Sequence, residues 1–505
     1  MEGRRSSAGG WRSLGCAVAL AGCALPTPSG EGGPAAPTLP PGPLAIAVGG
    51  LPAADPGDVA RVLTAAGARA ANAPCALLRW VADPTRGAAR EAGWTAIDAW
   101  VHGVQDAGIE DVALCLEFDG AGPYDGLVAP RSPLPGGGDG AALAAWVGRV
   151  VERYDADGVD DAEGLAAPVR RFRLGSDLEP GGIEPFGAFP GLLADVQAAM
   201  RAASPEARLV LPPLRARGEP PGPLAWRLDE LLAASPRPFD AWSVAASGTS
   251  EELDAWLRWL RGRAPDVPIE VVEGTAPPLA EAGAVTRCDA SAPDRARLDG
   301  GTSEAERCIV ASLFVDLLAR SPGTTAWARG IAARDLGAKA VLAAAHGVTR
   351  AELGLAQDAP WWTDPSLEAG AGLAAWSGLL DPGSGGAYPS FYALRQLDAW
   401  TRGRDTIVRL SGFPPGVEVF ELYGRAGAAW IAWYSPPGFV PLGQPLPVRS
   451  AALDVGADLV WLEQLIVEPG TTEPLADARE VAAGRLFLDL TPTPLLVTPD
   501  PDGGG

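Results

Sequence analysis

The sequence predicts an α/β fold, a (β/α)8 TIM barrel followed by a small antiparallel β-sandwich. Three observations predict it. Eight apolar, strand-like runs alternate with amphipathic stretches between residues 44 and 400. The first run ends in AVGGLP, whose two glycines fall short of a phosphate-binding loop, so a doubly wound open sheet is the weaker alternative. After residue 400 the runs become short and alternating, with turns between them and no long helix.

The eight expected barrel strands are LAIAV (44–48), CALLRW (75–80), DVALCLEF (111–118), RFRLGSD (171–177), RLVLPP (208–213), FDAWSVAA (239–246), IEVVEG (269–274) and TTAWARG (324–330). Helical patterns lie between them. GDVARVLTAAGA and GWTAIDAWVHGVQDAG are two, and EELDAWLRWLRGR sets Leu253, Trp256, Leu257 and Leu260 on one face. The sandwich is read from TIVRLSG, VEVFELYG, AAWIAWYS, LVWLEQLIV and GRLFLDLTPTPLLVTPD. The barrel is expected over 44–400 and the sandwich over 401–500.

Residues 1–23 read as a lipoprotein signal peptide. Arg4, Arg5 and Arg12 precede a short apolar stretch from Leu14 to Ala21, too short to span a bilayer. Leu20-Ala21-Gly22-Cys23 looks like a bacterial lipobox, with Cys23 as the acylated first residue of the mature chain. Residues 24–43 are a Pro/Gly-rich linker. The expectation is a lipid-anchored protein of the cell envelope, held to the membrane through Cys23.

Of 505 residues, 47% are hydrophobic and 20% charged, a globular balance. The formal charge of −22 argues against nucleic acid, which needs a basic patch, and suits a neutral or basic ligand. The six cysteines (Cys16, Cys23, Cys75, Cys115, Cys288 and Cys308) form no CxxC, and His102 and His346 are the only imidazoles, so no zinc site is expected. Cys75 and Cys115 sit in apolar runs and read as core. Cys288 and Cys308 flank a loop and a helix start, and their pairing stays open. Asp155, Asp157 and Asp161 in the acidic stretch DADGVDDAEG are calcium-ligand candidates, but the glycine misses the EF-hand offset and a solvated loop is the favoured reading. Ser176 has no histidine beside it, so a Ser-His-Asp hydrolase is unsupported. No metal or cofactor is implied.

Barrel enzymes place their chemistry at the C-terminal ends of strands. Acids stand there: Glu117 and Asp119 on the third, Asp177 and Glu179 on the fourth, Glu273 on the seventh. Glycoside hydrolysis needs two carboxylates across one bond, one protonated and one ionised. The fourth and seventh strands face each other across such a barrel. Phe172 and Leu174 alternate with Arg173, Gly175, Asp177 and Glu179. If the apolar pair packs on the helices, Asp177 and Glu179 point into the mouth. Trp80 and Trp327 end expected strands and are candidate sugar platforms. Trp361 and Trp362 suit stacking or core packing equally.

At this point the chain resembles clan A retaining glycoside hydrolases. ERYDADGVDDAEGLAAPVRRFRLGSDLEP (152–180) is similar to their fourth-strand region, and IEVVEGTAPP (269–278) to their seventh. WSGLLDPGSGGAYPSFYALRQL (376–397) is similar to the segment that closes their barrel, and FLDLTPTPLLVTPD to the last strands of their companion sandwich. The resemblance implies a carbohydrate ligand, Glu273 as nucleophile and Asp177 as acid/base. It also implies Ser176 on the substrate, Arg79 holding Glu273 ionised, and Trp327 on the eighth strand. A one-step slip would place Glu179 at the acid position instead, with Leu178 before it.

The departures are as informative. Ser176-Asp177 stands where the family has Asn-Glu, and Asp is one methylene short. A retreat of about 1 Å can cost ~10²-fold in rate. Ala245 and Ser247 stand where the sixth strand of the family carries His and Tyr. Two expectations result: a working retaining glycosidase, or a degenerate one that binds glycan or serves as an envelope scaffold.

Overall fold

The computed structural model describes residues 44–49, 51, 56–74, 79–81, 87–119, 139–174, 186–216, 220, 225–246, 248–272, 321–358, 376, 378–437, 440 and 442–500. The first part alternates strand and helix. Its elements are β1 (Ala45–Gly49), α1 (Pro56–Ala65), β2 (Ala70–Asn72), β3 (Arg79–Val81), α2 (Gly87–Asp106), β4 (Asp111–Asp119) and α3 (Asp139–Arg153). Then come β5 (Arg171–Leu174), α4 (Phe189–Ala203), β6 (Arg208–Val210), β7 (Leu214–Arg215), α5 (Ala225–Ala233), β8 (Trp242–Ala245) and α6 (Ser250–Arg263). The series closes with β9 (Ile269–Val272), α7 (Pro322–Ala345), β10 (Arg350–Gln357), β11 (Gly378–Leu380) and α8 (Pro389–Thr401).

The strands form one parallel sheet in the order β6-β5-β4-β2-β1-β10-β9-β8-β7. β6 and β7 share the fifth position, and a parallel bridge from Val210 to Ala241 returns the circuit to the sixth. The result is a nearly closed, eight-position TIM-like barrel. The second position holds β2 and β3, both paired with β4, where one strand over 75–80 is expected from sequence.

The eighth strand differs from expectation. TTAWARG (324–330) is helical, inside α7, and the strand is β10, RAELGLAQ. Pro322 in the first turn and the alanine-rich run behind it favour the helix. β10 escapes a search for apolar runs because its first inward positions are Arg350 and Glu352.

Strand registers fix the two faces. Phe172, Leu174, Val112, Leu114, Val244, Val271, Ala351 and Leu353 are buried in one core with helix residues such as Leu63, Trp100, Val147 and Leu257. Burying each such Leu or Phe stabilises by roughly 1.5–3 kcal/mol. The opposite parity lines the interior: Ala113 pairs with Arg171, Cys115 with Arg173, and Glu270 with both Ser243 and Arg350. Helix starts are locally encoded too. Thr249 caps α6, accepting from Glu252 N at 3.2 Å while the Glu252 carboxylate accepts from Thr249 N at 2.8 Å.

The C-terminal part is antiparallel. It comprises β12 (Arg404–Arg409), β13 (Val417–Gly424), β14 (Ala429–Tyr434), β15 (Arg449–Asp454), β16 (Leu459–Gln464), β17 (Ala476–Glu480), β18 (Arg485–Leu490) and β19 (Leu495–Pro499). Six strands form a sheet in the order β12-β13-β14-β19-β16-β17, and β15 pairs with β18. Val419, Trp430, Val460, Leu486 and Leu488 share a second core between the two sheets. The other face of the large sheet joins the barrel core through Phe420, Ile431, Trp433 and Leu496. Among the described residues no helix is long and apolar enough to cross a membrane.

Candidate functional site

The C-terminal ends of the strands are the place to look, and the register shows what reaches them. In β5, Phe172 and Leu174 are fully buried against the helices. Arg171 turns inward, where Nη1 donates to Glu270 Oε1 at 2.7 Å across the barrel. The alternation required for Asp177 and Glu179 to face the mouth therefore holds through Leu174. Ser176, Asp177, Leu178 and Glu179 themselves lie outside the described residues, as do Glu273, Ser247, Trp361, Trp362 and Cys23.

Arg79 and Trp80 lie on β3, paired with Glu117 and Phe118 of β4, so the second and third positions run side by side at the mouth. Trp327 is corrected from strand to helix: it sits in α7, partly buried. Ala245 ends β8 on the inward parity, buried, paired with Val272. Cys115 is buried, as its apolar run suggests, and lies on the inner face; it is also disulfide-bonded, which the sequence reading did not anticipate, and its partner lies outside the described residues.

Below the mouth the interior is ionic. Arg171 Nε donates to Asp111 Oδ1 at 3.1 Å, and Arg350 Nε lies 3.4 Å from Asp111 Oδ2. Arg350 also donates to Asn72 Oδ1 and to the Ala71 carbonyl, and Asn72 Nδ2 donates to Glu352. Burial works against the charge on Arg171, yet Glu270 and Asp111 outweigh it and raise its pKa. For the fully enclosed Arg350 burial wins, and its pKa is lowered. A cleft of about 820 Å³ opens beside this lattice, lined by Asp111, Arg170, Arg171 and Arg208. These residues begin β4, β5 and β6, so the cleft is at the barrel end opposite the mouth.

The acidic loop follows α3 and precedes β5, also away from the mouth. Carboxylate atoms of Asp155, Asp157 and Asp161 lie within 4.8 Å of one another. They serve the turn: Asp161 accepts from Ala156 N at 2.9 Å and Gly158 N at 2.6 Å, and Asp157 accepts from Val159 N at 2.8 Å.

Sequence reasoning missed the end of the eighth strand. β10 bulges between Glu352 and Leu355: Ala47 pairs with Glu352, but Gly49 with Leu355. After the bulge Leu355 and Gln357 are half-buried and Ala356 packs outward. Asp358 then meets Arg329 of α7 in a buried two-pronged ion pair, one arm at 2.8 Å. The misplaced eighth strand hid this pair. With β10 recognised, an acid immediately after a barrel strand is the signal that finds Asp358.

No protein-family model matches this sequence, and no curated protein matches it. Solved structures do resemble it. A glucosidase from Croceicoccus marinus has a TM-score of 0.54 at 13% identity, over 91% of this chain and 96% of its own. The family 51 alpha-L-arabinofuranosidase AbfB from Bifidobacterium longum has a TM-score of 0.53 at 13% identity, over 91% and 96%. The chain has a glycosidase-like fold. A GH30 endoxylanase from Clostridium papyrosolvens adds a TM-score of 0.51 at 9% identity, over 92% and 98%. At these identities the likeness is one of fold, spanning both the barrel and the sandwich.

Proposed function

We propose that the chain binds carbohydrate in the C-terminal mouth of its barrel and cleaves a glycosidic bond by the retaining, two-carboxylate route. Glu273 is the nucleophile, and Asp177, or Glu179 in its place, is the acid/base. Arg79 keeps Glu273 ionised, Ser176 touches a substrate hydroxyl, and Trp80 offers a ring face to the sugar. The observation that carries this reading is the contact of Arg171 with Glu270, which sets the fourth and seventh strands face to face beneath the proposed pair. The glycosidase-like barrel and sandwich support it.

One observation favours the second reading, a barrel that binds glycan without cleaving it. Val272 has the inward parity of Glu270, so Glu273 faces the mouth only if the chain breaks alternation after Val272. Ala245, at the end of β8, brings no polar group to a substrate.

The leader and Cys23 favour a lipid-anchored place in the cell envelope. The disulfide at Cys115 agrees with an oxidising compartment.

The test is hydrolysis of a panel of aryl β-glycosides by the purified protein and by Glu273→Gln. Turnover lost in the variant supports the mechanism, and turnover that survives sinks it. Saturable glycan binding without turnover selects the second reading. Neither turnover nor binding removes both.

A further inference from the structure

The end of the eighth strand is held by a clamp built from four elements. Arg329 and Asp358 are 4% and 7% exposed, deep enough that neither charge tolerates loss of the other. Arg329 Nη1 donates to Asp358 Oδ1 at 2.8 Å and to the Trp376 carbonyl at 2.6 Å, and Nη2 donates to Asp358 Oδ2. Asp358 Oδ1 accepts in addition from Gly378 N at 3.0 Å. The guanidinium carbon stands 3.5 Å from the centre of the Tyr388 ring, and the Tyr388 hydroxyl donates to Asp381 at 2.6 Å. Position 378 must be glycine for this: a Cβ there would lie 2.4 Å from Asp358 N.

The clamp lies where the neighbour of the eighth strand changes. β9 pairs with β10 at Arg350 and Ala351. β1 pairs with Leu355 on one edge, and β11 pairs with Leu355 and Gln357 on the other, the edge that β9 used lower down. Gly378, which Asp358 holds, is the first residue of β11. The strand fixed by the clamp therefore occupies, at Leu355 and Gln357, the same edge of β10 that the described part of the seventh strand occupies at Arg350 and Ala351.

We propose that Arg329 is a positioning residue of the mouth: through Asp358 it locks β11 onto the end of the eighth strand and so sets where the seventh strand ends, next to Glu273. Both Asp358 oxygens are engaged, so Asp358 is an anchor and takes no part in proton transfer. The role at the mouth rests on the carbohydrate reading above. The clamp itself does not.

The experiment compares the full chain with Arg329→Lys and Arg329→Met. Lysine keeps the charge but lacks the fork that engages both oxygens, so it serves where methionine fails to fold. Hydrogen exchange reads the clamp: amides of 355–358 and 378–380 speed up in both variants while those of β13 and β14 do not. Steady-state kinetics read the role: kcat falls by about tenfold to a hundredfold with KM little changed, as for a displaced reacting group. Millimolar guanidinium restores part of kcat in Arg329→Met. Unchanged exchange overturns the clamp. Faster exchange with unchanged kcat, or with KM rising alone, overturns the positioning role. If the parent neither cleaves nor binds any glycan, the carbohydrate reading falls and the role at the mouth with it, and the exchange result still decides the clamp.

Discussion

Arg171 and Glu270 meet across the barrel, 2.7 Å apart, from two strands that are not neighbours in the sheet. Arg171 opens β5 and Glu270 is the second residue of β9. The fourth and seventh strands are thus bonded to each other below the mouth. A two-carboxylate mechanism needs the same two strands opposed at their far ends.

The Glu270 side chain is 3% exposed, so removing its partner leaves a buried, uncompensated charge. Arg171→Met is expected to destabilise the protein by about 3 kcal/mol, and Arg171→Met with Glu270→Leu by clearly less. Urea unfolding of both proteins checks this. A double variant no more stable than the single one refutes the argument.

The barrel was largely legible in the sequence because its outer face is hydrocarbon. Phe172 and Leu174, Val112 and Leu114, and Ile269 and Val271 each mark a strand by joining, at every second position, the core shared with the helices. The eighth strand was not legible for the same physical reason. Its inner positions, Arg350 and Glu352, belong to the ionic lattice and interrupt the apolar run, while α7 before it is alanine-rich. Trp327 was misplaced as a consequence. For the proposed site the sequence offers acids just beyond β5 and β9, and these lie outside the described residues. Arg329 was beyond reach, because its pairing with Asp358 joins a helix to a strand end that the sequence did not reveal.

Asp335 gives a pH dependence of defined sign. Burial pushes its carboxyl up to about 6, against the pull of Lys339, which lies 2.6 Å away, and Glu251 pushes the same way. A folded-state pKa above the ordinary 3.8 means that the native state takes up the proton first. Stability from this group is present at low pH and is lost as pH rises through about 6. Lys339, fully buried, also donates to the Ala246 carbonyl at 2.8 Å, so the pair holds the end of β8. The expected result is that the stability difference between the parent and Asp335→Asn depends on pH between 4 and 7, with the parent gaining on the acid side. A difference independent of pH in that window refutes it.

The disulfide at Cys115 has a predictable partner. Asn72 pairs with Ala113, and Arg79 with Glu117, so the two described ends of that stretch flank Cys115 along β4. Cys75 is the one cysteine in that stretch. Adjacent strands lie within disulfide reach. Peptide mapping without reduction should yield a Cys75–Cys115 cross-link. A link from Cys115 to Cys288 or Cys308 contradicts the register argument.

Gly49 and Glu352 supply the sharpest steric test. A Cβ on Gly49 would lie 2.0 Å from Glu352 Oε1, and no left-handed φ is involved, so the effect of a methyl there is purely one of space. The carboxylate is the far end of a side chain, but that side chain is 5% exposed and accepts from Asn72, so it yields only by giving up a buried charge-assisted bond. Overpacking and the lost bond together make Gly49→Ala cost about 2–3 kcal/mol. In a Glu352→Ala background the obstacle is gone, and the same methyl should cost less than about 0.5 kcal/mol. The coupling between the two substitutions is therefore expected to be about 2 kcal/mol, measured by chemical denaturation of the four proteins of the cycle. Additive costs would mean that the carboxylate does not rest on Gly49, and the inner lattice would have to be redrawn from Asn72 upward.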